Sequence, residues 1–482
     1  MQALQWPPYS SFIDLNTVKI LILGSGQVGS TVAQNLALMP NNDVTIIDIS
    51  EEALSNLRDK LDVQTVLGNA ASPTVLAMAG AEDADLVLAL TRSDETNLVA
   101  CRMASVLFNT PNRIARVRRS DYLEYPSTHP DYPSSLDVFD ITESISPEQL
   151  VTEQVIGLLK HTSALQVLRF ADDKVRMVVV RTQKGGLLVG KPIAEINAHL
   201  PDGVDCQISA IYRNNRLIVP TASTVLIEGD EVFFLANSAH VQTVMREMRP
   251  NEQRTRRVMI AGGGNIGYRV AKQLEHEFDI KIIELNRNRA EWLAENLDTA
   301  LVLHGTATDE ALMENEYIDE IDVFCALTND DEDNIMASLL AKNMGAKRVM
   351  AIVNRSSYVD LLEGNTIDIV ISPHLITIGS ILAHVRLGDV VAVHPVRRGN
   401  AEAIEVVIHG DKHTSQLVGR HIGQVKLPAG CYFAALVRGD EVIMGHKDVL
   451  LADGDHIIFF VSRRRVVQEL EKLIQVKIGF FG

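Results

Sequence analysis

The chain has 482 residues, with 45 Lys and Arg against 62 Asp and Glu, so its formal net charge is −17. That length predicts three or four domains at about 100 to 200 residues each, and 46% apolar with 22% charged residues is ordinary globular composition, which excludes disorder and a coiled coil. The acidic balance excludes a main role in gripping nucleic-acid phosphates or anionic lipid, since both demand cationic surface. Mean hydropathy is slightly positive at +0.07, yet no uninterrupted apolar stretch nears the ~18 to 20 residues that span a bilayer. Direct lipid insertion is therefore not expected, and any membrane attachment would run through a protein partner. Cys101, Cys206, Cys325 and Cys431 are too few and too widely spaced for a disulfide framework or a zinc cluster, and fit a reducing cytosol.

Residues 1–17 carry neither a basic n-region nor an apolar h-region, so no signal peptide is expected and the segment reads as a disordered lead. Structure is expected from Val18, the true start if its codon is an alternative initiator. Over 18–140 short aliphatic runs alternate with helical stretches. Residues 20–23, 44–48, 65–67, 86–90 and 114–117 are the predicted strands, and 28–38 the first helix. Strands separated by helices imply right-handed crossovers and a parallel, doubly wound α/β sheet of Rossmann type. A crossover-helix linker is expected over 141–162, because Ser146-Pro147 starts a helix well and 150–159 is apolar-periodic. From 163 to 246 the pattern changes to short β-branched runs at 175–181, 207–212 and 231–235 with Gly-Asp and Asn-Asn turns between them. That predicts a compact, β-rich α+β module of about 80 residues.

The plan then repeats. The run from Lys19 to Gly29 recurs from Arg257 to Gly267, with Gly262 standing 238 residues after Gly24. Leu90-Thr91 with Asp94, Glu95 and Asn97 returns as Leu327-Thr328 with Asp331, Glu332 and Asn334, and Arg119-Ser120 with Tyr122 as Arg355-Ser356 with Tyr358. In the smaller module Leu188-Val189-Gly190-Lys191 matches Leu417-Val418-Gly419-Arg420, Cys206 matches Cys431, Arg213 matches Arg438, and Gly229-Asp230 matches Gly454-Asp455. A second Rossmann-like domain is expected over 256–372, a crossover helix over 373–388 and a second small module over 389–475, in the order A-B-A′-B′.

Gly24-Ser25-Gly26-Gln27-Val28-Gly29 follows an aliphatic strand and opens a helix. Such glycines let the backbone turn tightly and approach a pyrophosphate, whose charge then meets the helix N-terminus. Asp48 lies 19 residues beyond Gly29, at the end of the next strand, where a carboxylate can accept both hydroxyls of an adenosine ribose. The same spacing returns in Gly262-Gly263-Gly264-Asn265-Ile266-Gly267 with Glu284, 17 residues beyond Gly267. The alternative is a fold that keeps its glycines only for packing. Ile49 and Ser50 beside Asp48 offer no arginine to a 2′-phosphate, so NAD or an adenosine phosphate is favoured over NADP.

Ligands bind at the carboxyl ends of parallel strands, which adds Gly68-Asn69 and Thr91-Arg92 to the first crevice, and Gly305-Thr306 and Thr328-Asn329 to the second. Arg113, Arg116, Arg118 and Arg119 form a basic cluster around a strand, with Arg116 and Arg118 on one side; Ile352 and Asn354 stand at the matching places in the second copy. Guanidinium forks suit phosphates, so the first copy is the better equipped for a highly charged nucleotide. A solvated or interface charge patch is the other reading. A dehydrogenase would need a proton relay near the nicotinamide. Within 18–138 the one histidine is His129, in a loop-like Ser-Thr-His-Pro stretch, and His304 has Leu67 as its counterpart, so neither reads as catalytic. Cys206 and Cys431 fall in predicted strands, where buried, inert thiols are expected.

The two glycine fingerprints, the strand end Leu90-Thr91-Arg92-Ser93-Asp94-Glu95-Thr96-Asn97, the run Arg113-Ile-Ala-Arg116-Val-Arg118 and the A-B-A′-B′ order resemble the TrkA family over roughly residues 18–475. This is the family of peripheral regulatory subunits of bacterial Trk potassium-uptake systems. Each A-B pair looks like an RCK unit, a nucleotide-binding Rossmann part followed by a small TrkA-C part. The resemblance implies binding of NAD(H) and of ATP or ADP, a homotetrameric ring, and docking on the cytosolic face of an integral membrane subunit of the TrkH or TrkG kind. By position, residues Gly24 to Val28 would hold the first pyrophosphate, Asp48 the ribose, Thr91 and Arg92 the far side, and Arg116 a phosphate or adenine edge. Gly262 to Ile266, Glu284, Thr328 and Asn329 would form the second site. Where the family often has Gly-Asp after the third strand this chain has Gly68-Asn69 and Gly305-Thr306, so a carboxylate is missing at that edge.

The mechanism expected is linkage without turnover: a nucleotide that prefers one ring shape shifts the ring by its differential affinity, and the ring transmits this to the docked channel. Cytosolic loops of membrane proteins are rich in Lys and Arg, which an acidic ring complements. Two rivals remain at this stage, an NAD-dependent oxidoreductase with a duplicated fold and a stand-alone nucleotide sensor.

Overall fold

A computed structural model describes residues 17–39, 42–119, 122, 134–214, 216–250, 254–362, 367–385, 389–396, 401–445, 447–463 and 466–475. The expected lead, apart from Thr17, lies outside the described residues, as do His129 and Ser120. The chain divides into two compact units between Ser146 and Pro147.

The first unit holds β1 (Val18–Leu23), β2 (Asn42–Asp48), β3 (Gln64–Leu67), β4 (Leu86–Ala89), β5 (Asn112–Arg116) and β6 (Glu143–Ile145). They form one parallel sheet in the order β3-β2-β1-β4-β5-β6. Ile20, Leu21, Ile22 and Leu23 are all buried, because crossover helices cover both faces of a parallel sheet and its strands read as continuous aliphatic runs. Helices Gln27–Ala37, Glu51–Arg58, Pro73–Met78 and Asp94–Phe108 make the crossovers. The order reverses between β1 and β4, which opens a crevice at their carboxyl ends. The strand β6 was not legible in the sequence, where 141–162 reads as a linker. It pairs with β5 through Ile114 with Glu143 and Arg116 with Ile145, and three residues are too short a run to show a period of two.

The second unit opens with the helix Pro147–Lys160 and continues into β7 (Ala164–Phe170), β8 (Val175–Arg181), β9 (Cys206–Arg213), β10 (Arg216–Ile218) and β11 (Glu231–Asn237), an antiparallel sheet in the order β10-β9-β11-β8-β7. A second parallel sheet follows: β12 (Arg257–Ala261), β13 (Asp279–Glu284), β14 (Leu301–His304), β15 (Val323–Ala326), β16 (Arg348–Ile352) and β17 (Ile369–Ile371), ordered β14-β13-β12-β15-β16-β17. After the helix Pro373–Val385 come β18 (Val390–Val396), β19 (Ala401–Val407), β20 (Cys431–Arg438), β21 (Glu441–Met444) and β22 (His456–Val461), ordered β18-β19-β22-β20-β21. Strand for strand, this is the topology of the first small sheet. Both copies of the plan are α/β Rossmann domains followed by a small α+β domain.

Within the second unit the two small sheets share a core, in which Phe170, Val179 and Phe233 meet Ala403, Ala435 and Phe460. The rings of Phe233 and Phe460 lie 6.4 Å apart. The helix Pro147–Lys160 buries Val151, Val155, Leu158 and Leu159 in a second core with Phe234 of the small sheet and with Val258, Ile260 and Ile282 of the second parallel sheet. The repeated Arg213–Asp230 and Arg438–Asp455 pairs now have a structural cause. Each Asp is 1% exposed, and each takes a two-pronged guanidinium at 2.7 to 2.8 Å. Both arginines also donate to the backbone, at Val225 and Leu450. Breaking either pair would strand a buried charge.

His394 on β18 sits edge-on to Phe170 with ring centroids 4.9 Å apart, and its Nε2–H donates to the Arg169 carbonyl at 3.1 Å. Burial pushes its pKa from 6.5 down to about 4, the carbonyl opposing only partly. A folded-state pKa below the unfolded one means that the unfolded chain binds more protons between pH 6.5 and 4. Stability is thus intact above that window and is lost as pH falls through it. Thermal melting measured from pH 7 to 4.5 is expected to fall less steeply for His394→Gln, which can still donate to the Arg169 carbonyl, than for the unmodified protein; parallel slopes would refute the assignment.

Candidate functional site

Each parallel sheet leads its first strand into a glycine loop and then a helix, Gln27–Ala37 or Asn265–Leu274. Two glycines of each loop are demanded by the fold. Gly24 has φ +102, and a Cβ there would stand 3.0 Å from the Thr91 Cα; at Gly29 a Cβ would stand 1.9 Å from the Gly24 carbonyl oxygen. Gly262 and Gly267 repeat this, with φ +102 at the first and 2.0 Å to the Gly262 oxygen at the second. The middle glycines differ. Gly26 and Gly264 both have φ −64, which any residue adopts, and a Cβ at either would meet nothing within 4 Å. No part of the fold requires glycine there. Each of these residues is an N-cap with no side chain bonding the helix end, so the first N–H groups of the helix, at Gln27 and Val28 and at Asn265 and Ile266, face an open cradle.

At the end of β2, Asp48 accepts the Ser25 N–H at 2.6 Å and the Ser50 N–H at 2.8 Å. Burial works against its charge, but the backbone N–H groups outweigh it and hold the carboxyl below its usual range. Glu284 at the end of β13 repeats the clasp on Gly263 at 2.8 Å and Asn286 at 2.7 Å. The residues that follow, Ile49 and Leu285, are 79% and 69% exposed. A large apolar side chain held in solvent beside a ribose-type carboxylate suits the face of a base. In the sequence Ile49 counted only as the absence of an arginine and Leu285 had no role, although an aliphatic residue just past the strand end was the available signal.

The far side of each crevice is locked by two buried polar side chains that repeat in sequence and had no role assigned. Asn97, fully buried, accepts from the Thr91 N–H at 3.0 Å and hydroxyl at 2.7 Å, and donates to the Arg116 carbonyl at 2.9 Å. Asn334 does the same for Thr328 at 2.9 and 2.7 Å and for the Ile352 carbonyl at 2.9 Å. Asp94 accepts the Arg118 and Arg119 N–H groups at 2.9 and 2.8 Å, as Asp331 accepts those of Asn354 and Arg355 at 2.8 and 2.9 Å. A buried Asn or Asp on a helix is costly unless satisfied, and here the satisfaction ties the fourth strand end to the fifth.

Arg92 and Arg118 are brought together, the Arg118 guanidinium donating to the Arg92 carbonyl at 3.1 Å, and Arg116 ends β5 beside them. Arg113 is not part of this group. Its guanidinium caps the carbonyls of Thr110, Pro111 and Asp140 at the opposite end of β5, so the expected four-arginine cluster divides. Asn69 is exposed and turns back on its own loop, accepting the Ala71 N–H at 2.9 Å. Asn329 is exposed beside Thr328, and His304 is exposed at the end of β14. All four cysteines are buried, and burial raises the thiols of Cys101, Cys206 and Cys431 to about 12. They are inert.

The glycine geometry predicts unequal costs. In urea unfolding, Gly29→Ala is expected to lose about 1 to 3 kcal/mol or more through overpacking, whereas Gly26→Ser, which keeps a good N-cap, should stay within about 0.5 kcal/mol. Equal losses would mean that Gly26 also serves packing.

The TrkA-N domain model matches residues 20–128 and 258–373, and the TrkA-C domain model residues 177–249 and 411–475. Trk system potassium uptake protein TrkA of Halomonas elongata is 48% identical over 96% of this chain and 100% of its own length. The protein of the same name from Vibrio alginolyticus is 46% identical over 95% and 99%, and that from Haemophilus influenzae 45% over 96% and 100%. Among solved structures, the GsuK channel shares the fold at TM-score 0.60 and 18% identity over 98% of this chain and 82% of its own, and the GsuK channel bound to NAD at 0.58 and 18% over 96% and 79%. These relatives are named as potassium uptake proteins of a Trk system, which sets aside the oxidoreductase reading. With identity of this order along nearly the whole chain and both domain models matched twice, the chain belongs to the TrkA family of Trk potassium-uptake proteins.

Proposed function

We propose that this chain is the nucleotide-sensing gating subunit of a Trk-type potassium-uptake system. It binds NAD(H) and ATP or ADP in its glycine loops, assembles as a tetrameric ring, and docks peripherally on the cytosolic face of a TrkH- or TrkG-like subunit in the cell membrane. The observation that carries the nucleotide reading is the open space at Gly26 and Gly264: a glycine that the fold itself does not need, above an uncapped helix N-terminus and beside a clasped carboxylate. A pyrophosphate accounts for it, since its oxygens approach the backbone where a Cβ would stand. NAD bound to a channel of the same fold is consistent with this. Asp48 and Glu284 would take the riboses, Arg92, Arg116 and Arg118 would add cationic charge at the first site, and Thr328 and Asn329 would border the second. No helix among the described residues is long and apolar enough to cross a membrane, which suits a docked subunit.

Transmission follows from linkage, because a tenfold preference for one ring shape shifts its equilibrium by about 1.4 kcal/mol per site. In the second unit, Asn265 at the head of the glycine-loop helix donates to Glu148 on the helix Pro147–Lys160 at 2.9 Å. That helix is buried in the core of the first small sheet, so a change at the second loop has a short mechanical route into the small domains.

Equilibrium titration with NADH and with ATP is the direct test. Asp48→Ala is expected to weaken binding at the first site by about tenfold or more, the worth of a charge-assisted hydrogen bond, and NADH should not be consumed. Unchanged affinity would remove the Asp48 assignment, and sustained NADH oxidation would return the oxidoreductase. Extraction in mild detergent should bring down an integral potassium-transport subunit with the chain; its consistent absence would favour a stand-alone sensor.

A further inference from the structure

We infer that the second glycine loop admits adenine nucleotides phosphorylated at the ribose 2′ position, the NADP(H) class, and that Arg289 is the residue that sets this difference from the first loop. The inference rests on reading that loop as a nucleotide site. The helix Arg287–Asn296 begins just past Glu284, capped by Asn286, whose side chain accepts the Arg289 N–H at 3.0 Å. From this first turn Arg289 folds back over the loop, and its Nε donates to the Gly263 carbonyl at 2.8 Å. The Gly263 peptide is therefore gripped on both sides, its N–H by Glu284 and its carbonyl by Arg289. The guanidinium lies 4.1 Å from the ring centre of Trp292 and 5.8 Å from that of Tyr268, and those two rings meet edge to face with centroids 4.9 Å apart and planes inclined at 64°. Such a contact fixes a cation in place.

What is held so firmly is also unspent. Among the described residues, none accepts from the two terminal nitrogens of Arg289 and no carboxylate lies within ion-pair distance of it. A ribose bound through Glu284 turns its 2′ and 3′ oxygens toward this side of the loop, and an arginine near that carboxylate is what accommodates a 2′-phosphate in folds of this kind. A guanidinium whose two terminal nitrogens remain open as a fork matches a phosphate dianion. The Glu284 charge opposes the phosphate but is already shared with two peptide N–H donors, at Gly263 and Asn286. In the first copy Ser50 caps the matching helix and accepts the Ala53 N–H, so Ala53 stands at the place of Arg289, Asn56 at that of Trp292 and Ser30 at that of Tyr268. No cation and no aromatic backing are present at those positions, and a 2′-phosphate there would face Asp48 alone.

The test uses the full-length protein carrying Gly26→Val, which silences the first loop, titrated with NADH and NADPH by their fluorescence. NADPH is expected to bind within about tenfold of NADH, and Arg289→Ala to weaken NADPH by about tenfold or more while NADH changes less than about twofold. Arg289→Lys, which keeps a cation, should recover part of the NADPH affinity, and with the first loop intact Ala53→Arg should confer some on it. Binding of NADH without NADPH, or an equal loss of both in Arg289→Ala with an unchanged melting temperature, overturns the inference alone. Should neither nucleotide bind at the second loop, the nucleotide reading of that loop fails, and the inference with it.

Discussion

A single clasp organises both halves of this chain: the carboxylate at the end of the second strand takes the N–H of the middle of the glycine loop, Asp48 from Ser25 and Glu284 from Gly263. It joins the first and second strand ends across the crevice and leaves the loop in the one conformation where Gly24 and Gly262, at φ +102, can pass close to Thr91 and Thr328. The cost of holding a carboxylate in a partly buried place is met by backbone donors rather than by a counter-ion. The crevice is thereby left with negative charge on its rim and a helix N-terminus without a side-chain cap at its floor, which is the polarity a ribose with a pyrophosphate requires.

The opposite wall is built by a different device with the same economy. Asn97 and Asn334 each satisfy three backbone groups from a fully buried position, and Asp94 and Asp331 each hold two successive N–H groups of the segment after the fifth strand. Both ends of the crevice are thus rigid before any ligand arrives. Preorganisation of this kind favours sensing, because little of the binding free energy is lost to ordering the site.

Duplication has not made the copies equivalent. The first crevice gathers Arg92, Arg116 and Arg118 at the far strand ends, where the second has Asn329, Ile352 and Asn354. The second instead places Arg289 on Trp292 and against the Gly263 carbonyl of its glycine loop, where the first has alanine and asparagine. The cationic charge lies at the fourth and fifth strand ends in the first copy and over the glycine loop in the second. The small sheets, by contrast, remain alike down to the buried Arg–Asp pair, because in the second unit they pack against each other and the shared core constrains both faces.

Much of this architecture was legible in the linear chain. A repeat with glycines at fixed spacing, aliphatic runs long enough for strands covered on both sides, and acidic residues closing the second strand of each copy declare the doubly wound fold, since each depends on local geometry and on the period of burial. Strand β6 and the functions of Asn97, Asp94, Ile49 and Leu285 were not declared, because a three-residue strand has no period and a polar or apolar residue does not announce which distant backbone group or solvent face it meets. Arg113, Arg116 and Arg118 look alike in sequence; only the sheet sends the first to the amino end of β5 and the others to its carboxyl end. The sequence by itself determined the elements, the repeat and the acids at the strand ends. The tertiary structure decided that Gly24 must pass close to Thr91, and that Tyr268 of one helix meets the Arg289–Trp292 pair of another, because both depend on which atoms approach from elements remote in the chain.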